Sequence, residues 1–238
     1  MDLFTSASTP SINQLPYDGT VEYYGLVVNQ PTANHYFEQL LRTIQWEHDQ
    51  VRMFGKVIVT KRKVAWYADA DFSYTYSNQT KKALLWTPEL LELKKQVEET
   101  TGEHYNSCLL NLYASGKESM SWHSDNEKML KKDGAIASLS FGATRRFMFK
   151  HKTTKKIVSL WLEHGSVLLM KDDTQSNWLH QLPPNTKCVT ARINLTFRTI
   201  TNSIKSENSS YACTHLPSIY FFYQRLFGAN RFYSRYLL

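Results

Sequence analysis

Between Ser107 and Arg198 the sequence breaks into short stretches in which apolar and polar residues alternate with a period of two. Successive side chains of an extended strand point to opposite faces, so this period predicts strands that each bury one face. The stretches are Cys108–Tyr113, Ile136–Phe141, Arg146–Lys150, Ile157–Leu162, Ser166–Met170 and Arg192–Arg198. Closely spaced strands of this kind predict two sheets that fold over each other as a jelly-roll barrel.

Two helices are predicted ahead of these strands. Thr32 is the expected cap of the first, whose apolar residues follow helical spacing at Tyr36, Phe37, Leu40, Leu41 and Ile44. In the second, Thr87 is the cap, Pro88 occupies the first turn and Gly102 ends the helix. Its inward residues are expected to be Leu90, Leu91 and Val97. The predicted fold class is therefore α+β, a jelly-roll core with flanking helices.

One domain is expected over residues 16–200, with an appendage at each end. Residues 1–15 are rich in Ser, Thr and Pro, which indicates a loose lead-in. Residues 201–238 begin with a polar stretch and continue as an aromatic and basic tail. Packing of this tail on the core is favoured because exposed aromatic residues in such number promote aggregation. Contact with nucleic acid and mobility are left open as alternatives.

The charge balance points to an anionic partner. The chain has 28 Lys and Arg against 21 Asp and Glu, a net charge of +7, which makes nucleic acid the first candidate. A solvated basic surface without a partner explains the same balance equally well. The cysteines at 108, 188 and 213 form no CxxC pair, so neither a disulfide framework nor a thiolate zinc site is indicated. Without a predicted signal peptide or membrane span, we expect an intracellular protein that does not contact membranes.

A set of metal ligands is predicted around a short H-x-D sequence. His123 and Asp125 lie two apart in a predicted extended segment, so an imidazole and a carboxylate can point toward one ion. After several intervening strands, His180 can return as a third ligand. Two histidines and one carboxylate leave three positions of an octahedron open, as in non-haem iron(II) oxygenases. Taken singly, each histidine is explained just as well by hydrogen bonding beside a tryptophan.

The strand Arg192–Arg198 carries two arginines on its polar face. Ile193, Leu195 and Phe197 alternate with Arg192, Asn194, Thr196 and Arg198 in this segment. An exposed edge strand would explain the polar face. The apolar opposite face instead favours a core strand whose polar face lines a solvent-filled cavity. Guanidinium groups bind carboxylates through paired hydrogen bonds, so a dicarboxylate co-substrate is predicted. Asn111 and Tyr113 offer an amide and a phenol to the same space from a neighbouring strand.

Several separated motifs occur in an order that resembles a known family. They are Asn111-Leu112-Tyr113, His123-Ser124-Asp125-Asn126-Glu127, Ala137-Ser138-Leu139-Ser140-Phe141-Gly142, His180 and the Arg192–Arg198 strand. The sequence from about Leu15 to Ile200 resembles the AlkB-like iron(II) and 2-oxoglutarate dioxygenases. Within that family it is similar to the DNA-repair members related to the second human AlkB homologue.

The resemblance implies a double-stranded β-helix and an oxidative demethylase. It implies that Fe(II) is held by His123, Asp125 and His180, and that 2-oxoglutarate is held by Asn111, Tyr113, Arg192, Thr196 and Arg198, with Asn194 in support. Methyl groups on the nitrogens of damaged DNA bases such as 1-methyladenine and 3-methylcytosine would be hydroxylated with O2 and lost as formaldehyde, with succinate and CO2 as co-products. Ascorbate is a candidate stimulant of the reaction, and a monomer is expected.

A nucleotide-recognition region is predicted over residues 50–82. It resembles the family's hairpin with an aromatic finger at Phe54, Gly55 and Lys56, where Phe54 fills the space left by a flipped base and Lys56 meets phosphate. A core phenylalanine in an ordinary hairpin is the alternative. Tyr74, Thr75 and Tyr76 match the base-recognition segment, and Asn126 and Glu127 are expected to contact the nucleotide. Asn126 and Tyr76 depart from the family's usual acidic residue and phenylalanine, which leaves base preference open.

Basic clusters at Lys61–Lys63, Lys131–Lys132 and Arg145–Lys156 suit phosphate contacts, and the last is predicted to meet the second strand of a duplex.

Alternative functions remain open: a demethylase of RNA or a protein side chain, a non-catalytic damaged-DNA binding protein, and a zinc hydrolase. The expected location is the nucleoid in a bacterial cytoplasm, or the nucleus of a eukaryote.

Overall fold

The computed structural model describes residues 12–53, 56–76 and 79–201, and it describes only the backbone of residues 51–53, 56, 74–76 and 79–81. The helices are α1 (Gln30–Thr43), α2 (Pro88–Thr101) and α3 (Thr174–Asn177). The strands are β1 (Thr20–Leu26), β2 (Glu47–Met53), β3 (Lys56–Ala68), β4 (Ser73–Tyr76), β5 (Gln79–Lys82), β6 (Leu84–Leu85), β7 (Ser107–Tyr113), β8 (Met120–His123), β9 (Ile136–Gly142), β10 (Arg145–His151), β11 (Ile157–Leu162), β12 (Ser166–Lys171), β13 (Trp178–Leu182) and β14 (Arg192–Arg198).

Two sheets form the barrel. Among the described residues, the larger sheet has the strand order β1-β12-β9-β14-β7-β3-β2, with β6 paired to β3. The smaller sheet has the order β11-β10-β13-β8, and β4 and β5 form a separate hairpin. Apart from the short parallel pair of β3 and β6, the strands pair antiparallel. This architecture confirms the predicted jelly-roll class.

Strand β14 lies in the middle of the larger sheet, paired with β7 on one side and β9 on the other. Its apolar residues Ile193, Leu195 and Phe197 are fully buried against the helices. Their neighbours on the strand therefore face the smaller sheet, because alternate side chains point to opposite faces. The interpretation of this segment as an exposed edge is wrong, and a polar face lies inside the barrel.

Helix α1 begins three residues earlier than predicted. Asn29, and not Thr32, is the N-cap, and its side chain accepts a hydrogen bond from the Thr32 backbone N–H at 3.0 Å. Pro31 lies in the first turn, where its missing N–H costs nothing, and this placement favours a cap ahead of it. Leu40 is fully buried, as the helical spacing predicted.

Helix α2 has the predicted ends. Thr87 Oγ1 accepts from the Leu90 N–H at 3.3 Å, and Gly102 ends the helix with a φ of 72°, which favours glycine. Leu90 and Val97 are buried, but the expected burial of Leu91 is wrong, since 47% of it is exposed. Leu93 takes that place because residues three and seven beyond Leu90 share its face of a helix.

Two apolar clusters stabilise the barrel. One joins α1 and α2 to the outer face of the larger sheet, with Leu40, Leu93, Leu110 and Leu139 at its centre. The other lies between the sheets and includes Leu168, Met170, Phe149, Leu162 and Trp178. Within the described residues, no helix is long and apolar enough to cross a bilayer.

Candidate metal and co-substrate site

Three side chains that are distant in sequence meet between the sheets. Antiparallel pairing of β13 with β8 places His180 directly opposite His123, and the two ring centroids lie 4.2 Å apart. Asp125 follows β8, and its Oδ1 lies 3.7 Å from His123 Nε2 and 3.9 Å from His180 Nε2. One ligand atom from each residue falls within 4.8 Å of the other two. Two imidazole nitrogens and a carboxylate oxygen could therefore hold one divalent ion.

Hydrogen bonding and burial prepare these groups as ligands. His123 Nδ1 is 2.7 Å from the Ser121 carbonyl, so it carries the proton and leaves Nε2 free to bind a metal. Burial, helped by the nearby His123, lowers the pKa of His180 to about 3, which keeps its imidazole neutral. Burial works to raise the pKa of Asp125, but Arg198 and the two histidines hold that pKa below its usual value. His180 and Asp125 are thus in the protonation states that metal binding requires, and the Ser121 hydrogen bond sets the His123 tautomer.

Arg198 lies between the candidate metal ligand Asp125 and Glu127, which follows it on the same segment. Its Nη1 lies 3.7 Å from Asp125 Oδ2 and 3.5 Å from Glu127 Oε1. Only 10% of the Arg198 side chain is exposed, so its charge acts at short range on both carboxylates. This arginine therefore orients Asp125 as well as facing the polar interior.

A second polar group surrounds Arg192, at the other end of β14. Arg192 is buried and donates from Nη2 to Ser140 Oγ at 2.8 Å, and its guanidinium carbon lies 5.9 Å from the centre of the Tyr113 ring. Within the described part of the chain, Arg192 Nε and the buried Asn111 Oδ1 have no hydrogen-bond partner. Burial lowers the pKa of Arg192 to about 10, which still leaves it charged at neutral pH. A buried cation with an unused donor fits a carboxylate ligand.

The polar face of β14 between the two arginines is internally bonded. Asn194 Nδ2 donates to Ser138 Oγ at 2.7 Å and to the Leu139 carbonyl at 3.2 Å. Thr196 Oγ1 donates to Asn194 Oδ1 at 3.1 Å. These bonds fix the side chains of Asn194 and Thr196, and the supporting role of Asn194 stays a prediction.

Sequence reasoning missed Gln175, whose side chain contacts the site. Gln175 Oε1 accepts a hydrogen bond from the Asp125 backbone N–H at 2.9 Å. It also lines a cavity of about 280 Å³ together with Asp125, Glu127 and Arg198. The sequence Thr174-Gln175-Ser176-Asn177 looks like an ordinary polar connection, so no local pattern marks this residue.

The predicted nucleotide contacts are described only in part. Phe54 and Gly55 lie outside the described residues. For Lys56, Tyr74, Thr75 and Tyr76 the backbone is in strands β3 and β4, and their side chains lie outside the described part of the chain. Asn126 is exposed and Glu127 half-buried on the segment after Asp125. Their roles remain predictions.

Two arginines assigned to phosphate-contacting clusters are instead buried. Arg145 is 1% exposed and donates to the carbonyls of Ser115, Glu118 and Pro183 at 3.5, 3.0 and 2.8 Å. Arg62 pairs with Asp49 at 2.8 Å. Neither can reach a nucleic-acid backbone from these positions, whereas the neighbouring Arg146 is exposed.

Comparisons with known proteins agree with this geometry. The family model of the 2OG-Fe(II) oxygenase superfamily matches residues 20–198. The chain is 40% identical over 183 residues to alpha-ketoglutarate-dependent dioxygenase alkB homolog 3 of Bos taurus. The alignment covers 73% of the chain and 63% of that relative, so the chain spans less than two thirds of the relative's length. It is 34% identical over 202 residues to DNA oxidative demethylase ALKBH2 of Homo sapiens, covering 80% of the chain and 77% of the relative.

A solved structure agrees with the fold. The structure of OsALKBH1 covers 78% of the chain and 99% of its own length with a TM-score of 0.51, and at 15% identity it supports the fold alone. The family match and the curated relatives show that the chain belongs to the 2OG-Fe(II) oxygenase superfamily, as an AlkB-like iron(II) and 2-oxoglutarate-dependent dioxygenase.

Proposed function

We propose that this chain removes methyl groups from the nitrogens of alkylated DNA bases, with 1-methyladenine and 3-methylcytosine as substrates. The observation that carries the proposal is the meeting of His123, Asp125 and His180 inside a barrel whose polar interior also holds the buried Arg192 and Arg198. The relatives named DNA oxidative demethylase support DNA as the substrate class.

His123, Asp125 and His180 are proposed to hold Fe(II). The donor set fits this ion because two imidazoles and one carboxylate leave three positions open for co-substrates. Bound together, iron(II) and 2-oxoglutarate would supply the activation of O2. The chain's own part is to keep His180 neutral through burial and to fix the tautomer and ring orientation of His123 through the Ser121 hydrogen bond.

Arg192 is proposed to bind one carboxylate of 2-oxoglutarate, assisted by Tyr113 and Asn111. The unused N–H donor at Arg192 Nε supports this assignment, because buried polar atoms without partners are rare in folded proteins and a carboxylate can accept from it. Arg198 and Thr196 complete the proposed set from the end of β14 that lies near Asp125. A carboxylate at Arg192 would also offset the cost of burying its charge.

The substrate base is proposed to be flipped out of the duplex, since a methyl on its pairing edge is inaccessible there. Phe54, Gly55, Lys56, Tyr74, Thr75 and Tyr76 are proposed to hold the nucleotide, with Asn126 and Glu127 beside the metal ligands. One oxygen atom of O2 enters the methyl group as a hydroxyl, and the other enters succinate as 2-oxoglutarate loses CO2. The hydroxymethyl group then leaves as formaldehyde, a proton is released, and the ring nitrogen keeps the electron pair of the broken bond.

Formaldehyde release from matched methylated DNA and RNA oligonucleotides tests the proposal. The chain with Fe(II), 2-oxoglutarate and O2 is expected to release formaldehyde from DNA faster than from RNA, and His123→Ala is expected to release none. Faster release from RNA would move the substrate class to RNA. Lesion binding without any 2-oxoglutarate turnover would indicate a binding protein, and the proposal would be wrong.

A further inference from the structure

Gln175 occupies a site that links two of the three metal ligands. It belongs to α3, the single turn that leads directly into β13, and His180 follows it by five residues (180 − 175). Gln175 is 7% exposed and lines the same cavity as Asp125 and Arg198. The Gln175 side chain thus contacts Asp125, while the segment that contains Gln175 leads into the strand that carries His180.

The hydrogen bond from the Asp125 N–H to Gln175 Oε1 is 2.9 Å long. Strand β8 ends at His123, so the Asp125 backbone lies beyond the ladder that pairs β8 with β13. A half-buried backbone N–H needs an acceptor, and Gln175 provides one. Because the bond fixes the peptide plane before the Asp125 Cα, it also fixes the direction in which the carboxylate leaves the chain.

The acceptor is itself held in place. The backbone carbonyl of Gln175 accepts from Lys152 Nζ at 2.8 Å, and the side-chain Nε2 lies 3.6 Å from Met170 Sδ. The preceding Thr174 side chain bonds to the backbone of both Thr20 and Lys171. The position of Oε1 is therefore determined by the packed barrel, which is what a group that orients a ligand requires.

The geometry points to Gln175 as a positioning residue that aims the Asp125 carboxylate at the metal held with His123 and His180. This inference rests on the proposed function. Removing the acceptor allows the Asp125 peptide to rotate, so the carboxylate spends less time in reach of the ion. The loss appears in metal affinity, where groups that orient a ligand typically contribute 10- to 100-fold.

Three full-length variants test this role through Mn(II) binding to the apoprotein by titration calorimetry. Gln175→Met keeps the length of the side chain and removes the acceptor, and Gln175→Glu retains an oxygen at the same reach. The control is Gln181→Met, because Gln181 adjoins His180, points to the opposite face of β13, and also places its Nε2 near a methionine sulfur. Thermal unfolding of each apoprotein reports whether the barrel is intact.

We expect Gln175→Met to raise the Mn(II) dissociation constant about tenfold or more, and the Glu variant and the Gln181 control to stay within about threefold of the wild type. Unchanged Mn(II) affinity in Gln175→Met would overturn the inference while leaving the proposed function intact. An equal loss in Gln175→Met and Gln175→Glu would also overturn it, since the acceptor oxygen would then be irrelevant. Failure of the wild-type chain to bind Mn(II) would instead count against the metal site itself.

Discussion

His180 lies directly across from His123 on the adjacent antiparallel strand, with the ring centroids 4.2 Å apart. The pairing of β13 with β8 therefore brings the two imidazoles together, although strands β9 to β12 lie between them in the sequence. Asp125 reaches the same point by extending β8 by two residues. The site is thus a direct consequence of strand register, and a change in that register would separate the ligands.

Replacing His180 by Ala is expected to abolish binding of Mn(II) to the apoprotein. The substitution removes one of three ligand atoms that lie within 4.8 Å of each other, and two remaining ligands cannot hold the ion comparably. His104→Gln is the matched control, since the His104 side chain is 91% exposed. Calorimetric titration of the three proteins measures the effect, and retained Mn(II) affinity in His180→Ala would contradict the assigned ligand set.

Arg192→Lys is expected to weaken 2-oxoglutarate binding to the Mn(II)-loaded protein by about tenfold or more, because an ammonium group cannot form paired hydrogen bonds to a carboxylate. Metal affinity is expected to stay unchanged, since the triad does not include this residue. Arg146→Lys, at an exposed position of β10 in the smaller sheet, is the control. Equal 2-oxoglutarate affinity in the Arg192 and Arg146 variants would exclude Arg192 as the carboxylate-binding residue.

Arg145→Met is expected to lower the free energy of unfolding by about 3 kcal/mol, because three backbone carbonyls lose their buried donor. Arg146→Met, at the exposed neighbouring position, is expected to change it by less than about 0.5 kcal/mol. Urea denaturation of the apoproteins compares the two. A similar small change in both would mean that Arg145 does not stabilise the turn that precedes β8.

The apoprotein is expected to lose stability as the pH falls from 6.5 toward about 5. Burial lowers the pKa of His180 from 6.5 to about 3, so the unfolded chain binds a proton in this range while the folded chain does not. The contribution reaches at most about 1.4 kcal/mol per pH unit. Urea denaturation across this range should show a steeper pH dependence for the wild type than for His180→Gln, and parallel curves would refute the depressed pKa.

The double substitution of Lys155 and Lys156 by Gln is expected to weaken binding of duplex DNA more than binding of a single strand. Both residues are exposed on the turn between β10 and β11, which was predicted to meet the second strand. Each lost phosphate contact should reduce the slope of log affinity against log salt by about 0.9. Fluorescence anisotropy at several salt concentrations measures this, and an equal loss for both forms of DNA would argue against contact with a second strand.

Much of the barrel could be predicted because strand alternation and helix caps are local. The bounds of β11 and β14 were predicted without error, and Thr87 and Gly102 mark the ends of α2. The cap of α1 was misplaced since both Asn29 and Thr32 are good caps, and the position of Pro31 decides between them.

The contacts that sequence reasoning missed depend on tertiary structure. Arg145 stands beside Arg146 in a basic stretch, and only the convergence of carbonyls from two distant loops makes it a buried structural group. Gln175 likewise acquires its role from the position of Asp125, fifty residues earlier in the chain. Neither relationship has a periodic pattern in the sequence, so neither could be inferred from it.

The mass of a DNA oligonucleotide that carries one 1-methyladenine tests the central claim most directly. After incubation with the chain, Fe(II), 2-oxoglutarate and O2, the account predicts that the oligonucleotide loses the mass of one methylene group, with one formaldehyde and one succinate formed for each base restored. An unchanged mass, from a protein that binds both Mn(II) and 2-oxoglutarate, would contradict demethylation of DNA as the function of this site.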